Sequence, residues 1–146
     1  MRSIRVIVYL DTSSLVKLYV EEKGSSEINE LVRSSKISAT SLVAYAEARA
    51  AFARRFREKA FKQSEYRHLI AKFNEDWNHY LSLRVTDKLV RLAGDLAEKH
   101  RLRGFDAIHL ASSIILNKKV SSSVIFSCFD QKLQKTSALE GLQQPK

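Results

Sequence analysis

Val6-Ile7-Val8-Tyr9-Leu10-Asp11-Thr12-Ser13-Ser14 is the stretch whose reading decides the fold. Its apolar, largely β-branched run, which extends back to Ile4 with only Arg5 interrupting, is too short for an ordinary helix. It lacks the alternation of a strand with one wet face, so it predicts a strand covered on both faces and central in a sheet. Asp11 then ends the run, and Asp-Thr-Ser-Ser offers a helix cap. Working outward, Leu15, Val16, Leu18 and Tyr19 give a short apolar helix, a turn containing Gly24 follows, and Ile28, Leu31 and Val32 mark a second helix. Lys36 to Thr40 reads as a short strand, and Ser41 as the cap of a long helix reaching Arg57.

From about Lys62 to Tyr80, Tyr66, Leu69, Ile70, Phe73, Trp77, Tyr80 and Leu81 recur at the three-and-four spacing of one continuous stripe. Two consecutive long helices predict a helical hairpin. Leu81 to Val85 is a weak strand, and Thr86 or Asp87 starts a helix that Gly104 is expected to break. Phe105 to Leu116 is apolar nearly all round, as a buried helix would be, and Ser123 to Cys128 reads as another buried strand. Asp130 opens a last helix that Gly141 ends. Strands alternating with helices predict an α/β fold with a central parallel sheet and helices on both faces. Functional sites in such sheets form outside the carboxyl ends of the strands. The single proline, Pro145, lies in the tail, and no linker or repeat interrupts the chain, so residues 1–142 are read as one domain and 143–146 as a tail.

Composition narrows the partners. The 146 residues carry 25 Lys and Arg against 16 Asp and Glu, a formal net charge of +9, which favours a polyanionic partner. One cysteine, Cys128, excludes an intramolecular disulfide and makes the cytoplasm the simplest compartment. The amino-terminal apolar run ends at Asp11, short of a signal peptide, and no run approaches the ~18 apolar residues of a membrane span.

The acids fall where a site is expected. Asp11 follows the first strand, Asp130 follows the last by two residues, and Asp106 stands at the start of the most hydrophobic helix, facing the positive end of its dipole. Glu47 lies in a helix interior, on or beside the apolar stripe. Each aspartate taken singly is also a preferred cap, and Glu47 taken singly is also a partner for Arg54. Together, hard oxygen ligands converging from separate elements are what a divalent cation requires, and four carboxylates without one would repel each other.

These residues carry a resemblance. Val8-Tyr-Leu-Asp11-Thr-Ser-Ser, Ser41-Leu-Val-Ala-Tyr-Ala-Glu47, Phe105-Asp106-Ala-Ile-His-Leu-Ala and Phe129-Asp130-Gln-Lys-Leu resemble, in order and spacing, the acidic motifs of PIN-domain ribonucleases. They are similar above all to the VapC-type toxins of toxin-antitoxin systems. The resemblance implies a PIN-like three-layer α/β/α sandwich with a central parallel sheet and a helical hairpin insertion, an Mg²⁺- or Mn²⁺-dependent endoribonuclease activity, and a cognate VapB-like antitoxin. It places Asp11, Glu47, Asp106 and Asp130 as catalytic and metal-binding residues. Two residues before the last acid the family usually has Ser or Thr; here Cys128 stands there, with Ser127 one place earlier. Thr12, Ser13 and Ser127 are candidate supporting hydroxyls.

For the RNA substrate, the basic run holding Arg49, Arg54, Arg55 and Arg57, with Arg103 just before Asp106, is expected to take phosphates. His109, three residues after Asp106, is expected to be packed or hydrogen-bonded rather than a ligand. The apolar stripe from Tyr66 to Leu81 predicts a homodimer or an antitoxin groove. Three other classes compete. A phosphatase of the HAD type needs a second acid at position 13, which is serine; a catalytically silent PIN-like module would have lost an acid; a binder of acidic proteins leaves Glu47 unexplained.

Overall fold

Strand β1 (Val6–Leu10) occupies an inner position of a four-stranded parallel sheet of order β3-β2-β1-β4 in the computed structural model, which describes residues 6–146. Ile4 and Arg5, read as the start of this strand, lie outside the described residues. Side chains alternate across a strand, so Ile7 and Tyr9 face one helical layer and Val8 and Leu10 the other, and all four are buried. Burial on both faces is why the run shows no polar alternation.

The remaining elements are α1 (Thr12–Val16), α2 (Ser25–Ser34), β2 (Ile37–Ser41), α3 (Ala44–Arg57), α4 (Gln63–Trp77), β3 (Leu81–Leu83), α5 (Asp87–His100), α6 (Gly104–Lys119), β4 (Ser123–Ser127) and α7 (Gln131–Leu139). β1 pairs with β2 from Ile7 opposite Ile37 to Tyr9 opposite Ala39, and with β4 from Val6 opposite Ser123 to Leu10 opposite Ser127. The chain leaves β1 for β2 on one side and returns to β4 on the other. The crevice outside the carboxyl ends of β1 and β4 is therefore a topological switch point.

One layer, α5 and α6 with Leu133 of α7, covers Ile7, Tyr9, Ala39, Val124 and Phe126. The other, α1, α3 and α4, covers Val8 and Leu10. The α3–α4 hairpin exists as expected, and its stripe residues Leu69, Ile70, Phe73, Trp77 and Tyr80 pack within the chain on Phe52, Tyr19 and Tyr45. That intramolecular packing uses part of the stripe, while Leu81, at its end, stays 42% exposed. No helix of the described residues is long and apolar enough to cross a membrane.

Three boundaries depart from expectation. Ser41 closes β2 instead of capping a helix: its Oγ accepts from Val43 N at 3.3 Å, and α3 begins only at Ala44. The helix before Gly104 ends at His100, and the left-handed backbone of the capping Arg101 (φ 57°) lets its own N–H and that of Leu102 return to Ala97 O. Leu102 thereby packs on the core, and Gly104 opens α6 instead of ending α5. Gln143, read as tail, joins the sheet edge, its carbonyl accepting from Phe126 N at 2.9 Å.

Candidate active site

Asp11 sits where β1 runs out and α1 begins. Its backbone N–H still donates to Ser127 O at 3.1 Å, continuing the ladder with β4, while its side chain caps α1. Oδ1 accepts from Ser14 N at 2.9 Å and from Ser13 Oγ at 2.7 Å. The residue is only 6% exposed, and burial pushes its carboxyl above the ordinary value, against the pull of those donors and of His109. A carboxylate in that setting is a group short of positive charge.

Glu47 reaches the same end of the sheet from α3, on the opposite layer from α6. Its Oε1 accepts from Thr12 Oγ1 at 2.6 Å and lies 3.0 Å from His109 Nε2. Burial would raise this carboxyl, but the bonds from His109 and Thr12 outweigh it and hold the group below its ordinary range. The pair of carboxylates is thus pushed apart: Asp11 resists ionising, and Glu47 is held ionised.

Asp106 stands in the first turn of α6, 3.7 Å from Arg103 Nε, and shares a cleft of about 590 Å³ with Glu47, Arg103, Gly104, Phe105 and Ile108. Asp130 caps α7, accepting from Leu133 N at 3.0 Å. The buried thiol of Cys128 is pushed up to about 12, first by desolvation and then by the charges of Asp11, Asp130 and Asp106. At neutral pH it is a thiol and offers no thiolate ligand.

The other expected residues fall differently. Thr12 donates to Glu47 and Ser13 to Asp11, so both hydroxyls support acids, whereas Ser127 is buried and paired with Ser14 Oγ at 2.9 Å. Among the basic residues, only Arg103 lines the cleft. Residues two apart on a helix point about 200° apart, so Arg49 faces away from Glu47. It lies over the Tyr45 ring in the α3–α4 groove, donates from Nη1 to Tyr45 Oη at 2.7 Å, and leaves Nε buried without a partner. Arg54 pairs with Glu58 and Arg55 with Glu22, while Arg57 lies in the last turn of α3.

Sequence reading passes over Tyr9. Its hydroxyl meets His109 Nδ1 at 2.8 Å, and the signal available is a tyrosine in a strand with no wet face, whose O–H requires a buried partner. His109 is hydrogen-bonded, as expected, but to a site acid.

Among the described residues, no three Asp, Glu, His or Cys side chains stand together as a ready-made metal shell. The donor set nonetheless suits a hard divalent cation. All four acids offer oxygen ligands, Asp11 is a buried carboxylate lacking a cation, and Mg²⁺ characteristically binds one or two carboxylates and keeps several waters.

The family model of the PIN domain matches residues 8–139. Two curated relatives from Mycobacterium tuberculosis, ribonuclease VapC45 of strain CDC 1551 and ribonuclease VapC49 of strain H37Rv, are each 33% identical over 131 residues, covering 87% of this chain and 86% of theirs. Among solved structures, VapBC2 from Rickettsia felis bound to a promoter DNA fragment aligns with TM-score 0.63 at 13% identity, over 94% of this chain and 96% of that one. A toxin-antitoxin complex from Klebsiella pneumoniae aligns with TM-score 0.56 at 16% identity, over 81% and 83%. With that match running from β1 to the end of α7, the chain belongs to the PIN domain family.

Proposed function

We propose that this protein is a divalent-metal-dependent endoribonuclease using Mg²⁺ or Mn²⁺, and the toxin of a type II pair restrained by a VapB-like antitoxin. The observation that carries the reading is the buried Asp11 carboxylate, raised by burial, at the switch point where the adjacent Thr12 bonds Glu47 and Glu47 shares a cleft with Asp106. The names of the mycobacterial relatives support ribonuclease as the class of activity, and the two toxin-antitoxin structures support a protein partner.

Asp11, Glu47, Asp106 and Asp130 would hold the cation. When bound, a divalent ion offsets the negative charge that grows on the attacking and leaving oxygens of a phosphodiester. The chain's own residues do the rest. Ser13 and Ser14 fix one oxygen of Asp11, Thr12 and His109 fix one oxygen of Glu47, and Arg103 places a cation at the cleft mouth for a substrate phosphate. Hydrolysis adds a water oxygen to phosphorus as the bond to the leaving ribose oxygen breaks. The carboxylates, being acceptors, orient that water.

The test is cleavage of single-stranded RNA by the wild type, Asp106→Asn and Asp130→Asn, with Mg²⁺, with Mn²⁺ and with chelator. Chelator is expected to abolish cleavage, and each substitution to lower it on the order of 100-fold. Cleavage surviving both chelator and substitution overturns the assignment.

A further inference from the structure

We propose that His109, locked by Tyr9 in the tautomer with hydrogen on Nε2, is the positioning residue that aims Glu47 in the nuclease site. The inference rests on the nuclease reading above but concerns a tautomer and a tyrosine that no part of that reading uses. Its basis is a directed chain of hydrogen bonds joining the two layers of the fold. An ionised carboxylate accepts only, so His109 Nε2, 3.0 Å from Glu47 Oε1, must carry the hydrogen between them. Thr12 Oγ1, 2.6 Å from the same oxygen, donates its own hydrogen there and can take a secondary share of the Nε2 hydrogen at 3.1 Å. With the hydrogen on Nε2, Nδ1 is left to accept. The Tyr9 hydroxyl, 2.8 Å away, is the donor that fills it.

One direction satisfies every member: Tyr9 O–H to Nδ1, Nε2–H to Oε1, with Thr12 O–H to Oε1 from the other side. Both donors fall on one oxygen of Glu47, so Oε2 is left for the cleft shared with Asp106. The anchor of the chain is rigid. Tyr9 is fully buried in β1 and stacked on Phe126 of β4 at 5.6 Å, and His109 is 2% exposed with its ring edge-on to Tyr9 at 5.8 Å. Burying an imidazole in such a position is costly unless both nitrogens are paired, and the pairing that satisfies the ring also orients the acid.

The experiment uses the full chain, with three readouts. Nitrogen-15 spectra of the imidazoles are expected to show the His109 hydrogen on Nε2. A hydrogen on Nδ1, alone or together with Nε2, overturns the chain as drawn. Calorimetric titration with Mn²⁺, without RNA, is expected to show His109→Leu binding about 10- to 100-fold more weakly, with His109→Gln recovering most of the loss through its amide N–H. RNA cleavage should follow, with kcat falling and KM for RNA within about twofold, as expected of an outer-shell partner.

Equal losses in the Leu and Gln variants at equal melting temperature would reduce His109 to packing and overturn the proposal; so would no loss in either. Should His109→Leu fail to fold, Tyr9→Phe removes one hydroxyl and leaves the imidazole in place. It is expected to mix the tautomers and weaken Mn²⁺ several-fold, about one tenth to one half of the His109→Leu effect. An unchanged tautomer with unchanged Mn²⁺ affinity overturns it. A wild type that binds Mn²⁺ but cuts no RNA would fail the nuclease reading alone, because the tautomer and the titration report on Glu47 independently.

Discussion

The two helical layers cover the same sheet with different materials. On the hairpin side the filling is aromatic: Phe73, fully buried, meets Tyr19 at 5.1 Å, Phe52 at 5.2 Å, Tyr45 at 5.4 Å and Trp77 at 5.8 Å. On the other side α6 presents Ala107, Ala111, Ser112 and Ser113, all buried, and lies against α5 with aliphatic residues between. Small side chains let a helix approach closely; large rings hold one away and fill the gap. The helices of the layer that carries Glu47 thus pack through rings, and α6, which carries Asp106 and His109, packs largely through small side chains. The site lies at their seam, where a helix from each side ends beside the carboxyl edge of β1.

This difference predicts opposite modes of failure. Phe73→Ala removes the ring that touches four other aromatics, leaving a cavity no neighbour can refill, and is expected to destabilise the protein by ~3–5 kcal/mol in urea unfolding. A loss under about 1 kcal/mol would mean the hairpin is only loosely seated.

At the seam, Asp11→Asn is expected to lower RNA cleavage on the order of 100-fold, about 2.7 kcal/mol, while raising the melting temperature of the metal-free protein. The sign follows from burial. Because the folded carboxyl is raised above its ordinary value, the folded state binds its proton more tightly, and stability falls as pH rises from the ordinary carboxylate range through the raised one. Above that window the full penalty is present in the wild type and absent from the variant, whose amide carries no charge. Added Mg²⁺ should restore the wild type and leave the variant unchanged. A variant less stable than the wild type at neutral pH and without metal would show that Asp11 acts chiefly as a cap for α1.

On the α6 side the sensitive change is enlargement. Ala111→Leu has no space between α6 and the sheet and is expected to cost ~1–3 kcal/mol. Its thermal shift, compared with that of Phe73→Ala, ranks the two layers.

How much of this is legible in the sequence depends on whether a signal is local. The sheet, its central strand and the hairpin follow from β1's unbroken apolar run and the Tyr66–Tyr80 stripe, which are properties of adjacent residues. Asp130 and Thr86 cap the helices expected of them, because a cap needs only its own neighbours. The misses are non-local. Ser41 reads as a cap because nothing in its neighbours says that β2 continues through it. Arg49 groups with Glu47 by nearness along the chain, although half a helical turn separates them to opposite faces. The Tyr9–His109–Glu47 chain spans 100 and 62 positions, and no window of sequence contains it.

The smallest expected effect tests whether charge contributes to holding the layers. Glu140, at the carboxyl end of α7, accepts from His100 Nε2 at 2.7 Å and Lys99 Nζ at 3.0 Å, both at the end of α5. The hydrogen bond from His100, then that from Lys99, holds its carboxyl below the ordinary value of 4.5. Its stabilisation is therefore fully present above that ordinary value and is lost as pH falls through the lowered one. Lys99 is 66% exposed, so water and salt screen the pair. Glu140→Gln is expected to lose less than about 1 kcal/mol at pH 7, with the gap from wild type closing in acid and shrinking in high salt. On the hairpin side Glu22 is the counterpart, gripped by Lys17 and Arg55 strongly enough to be lowered despite its own desolvation. Glu22→Gln should show the same acid-side closing. If both gaps instead persist unchanged below the carboxylate range, packing rather than charge joins α5 to α7 and α1 to α3.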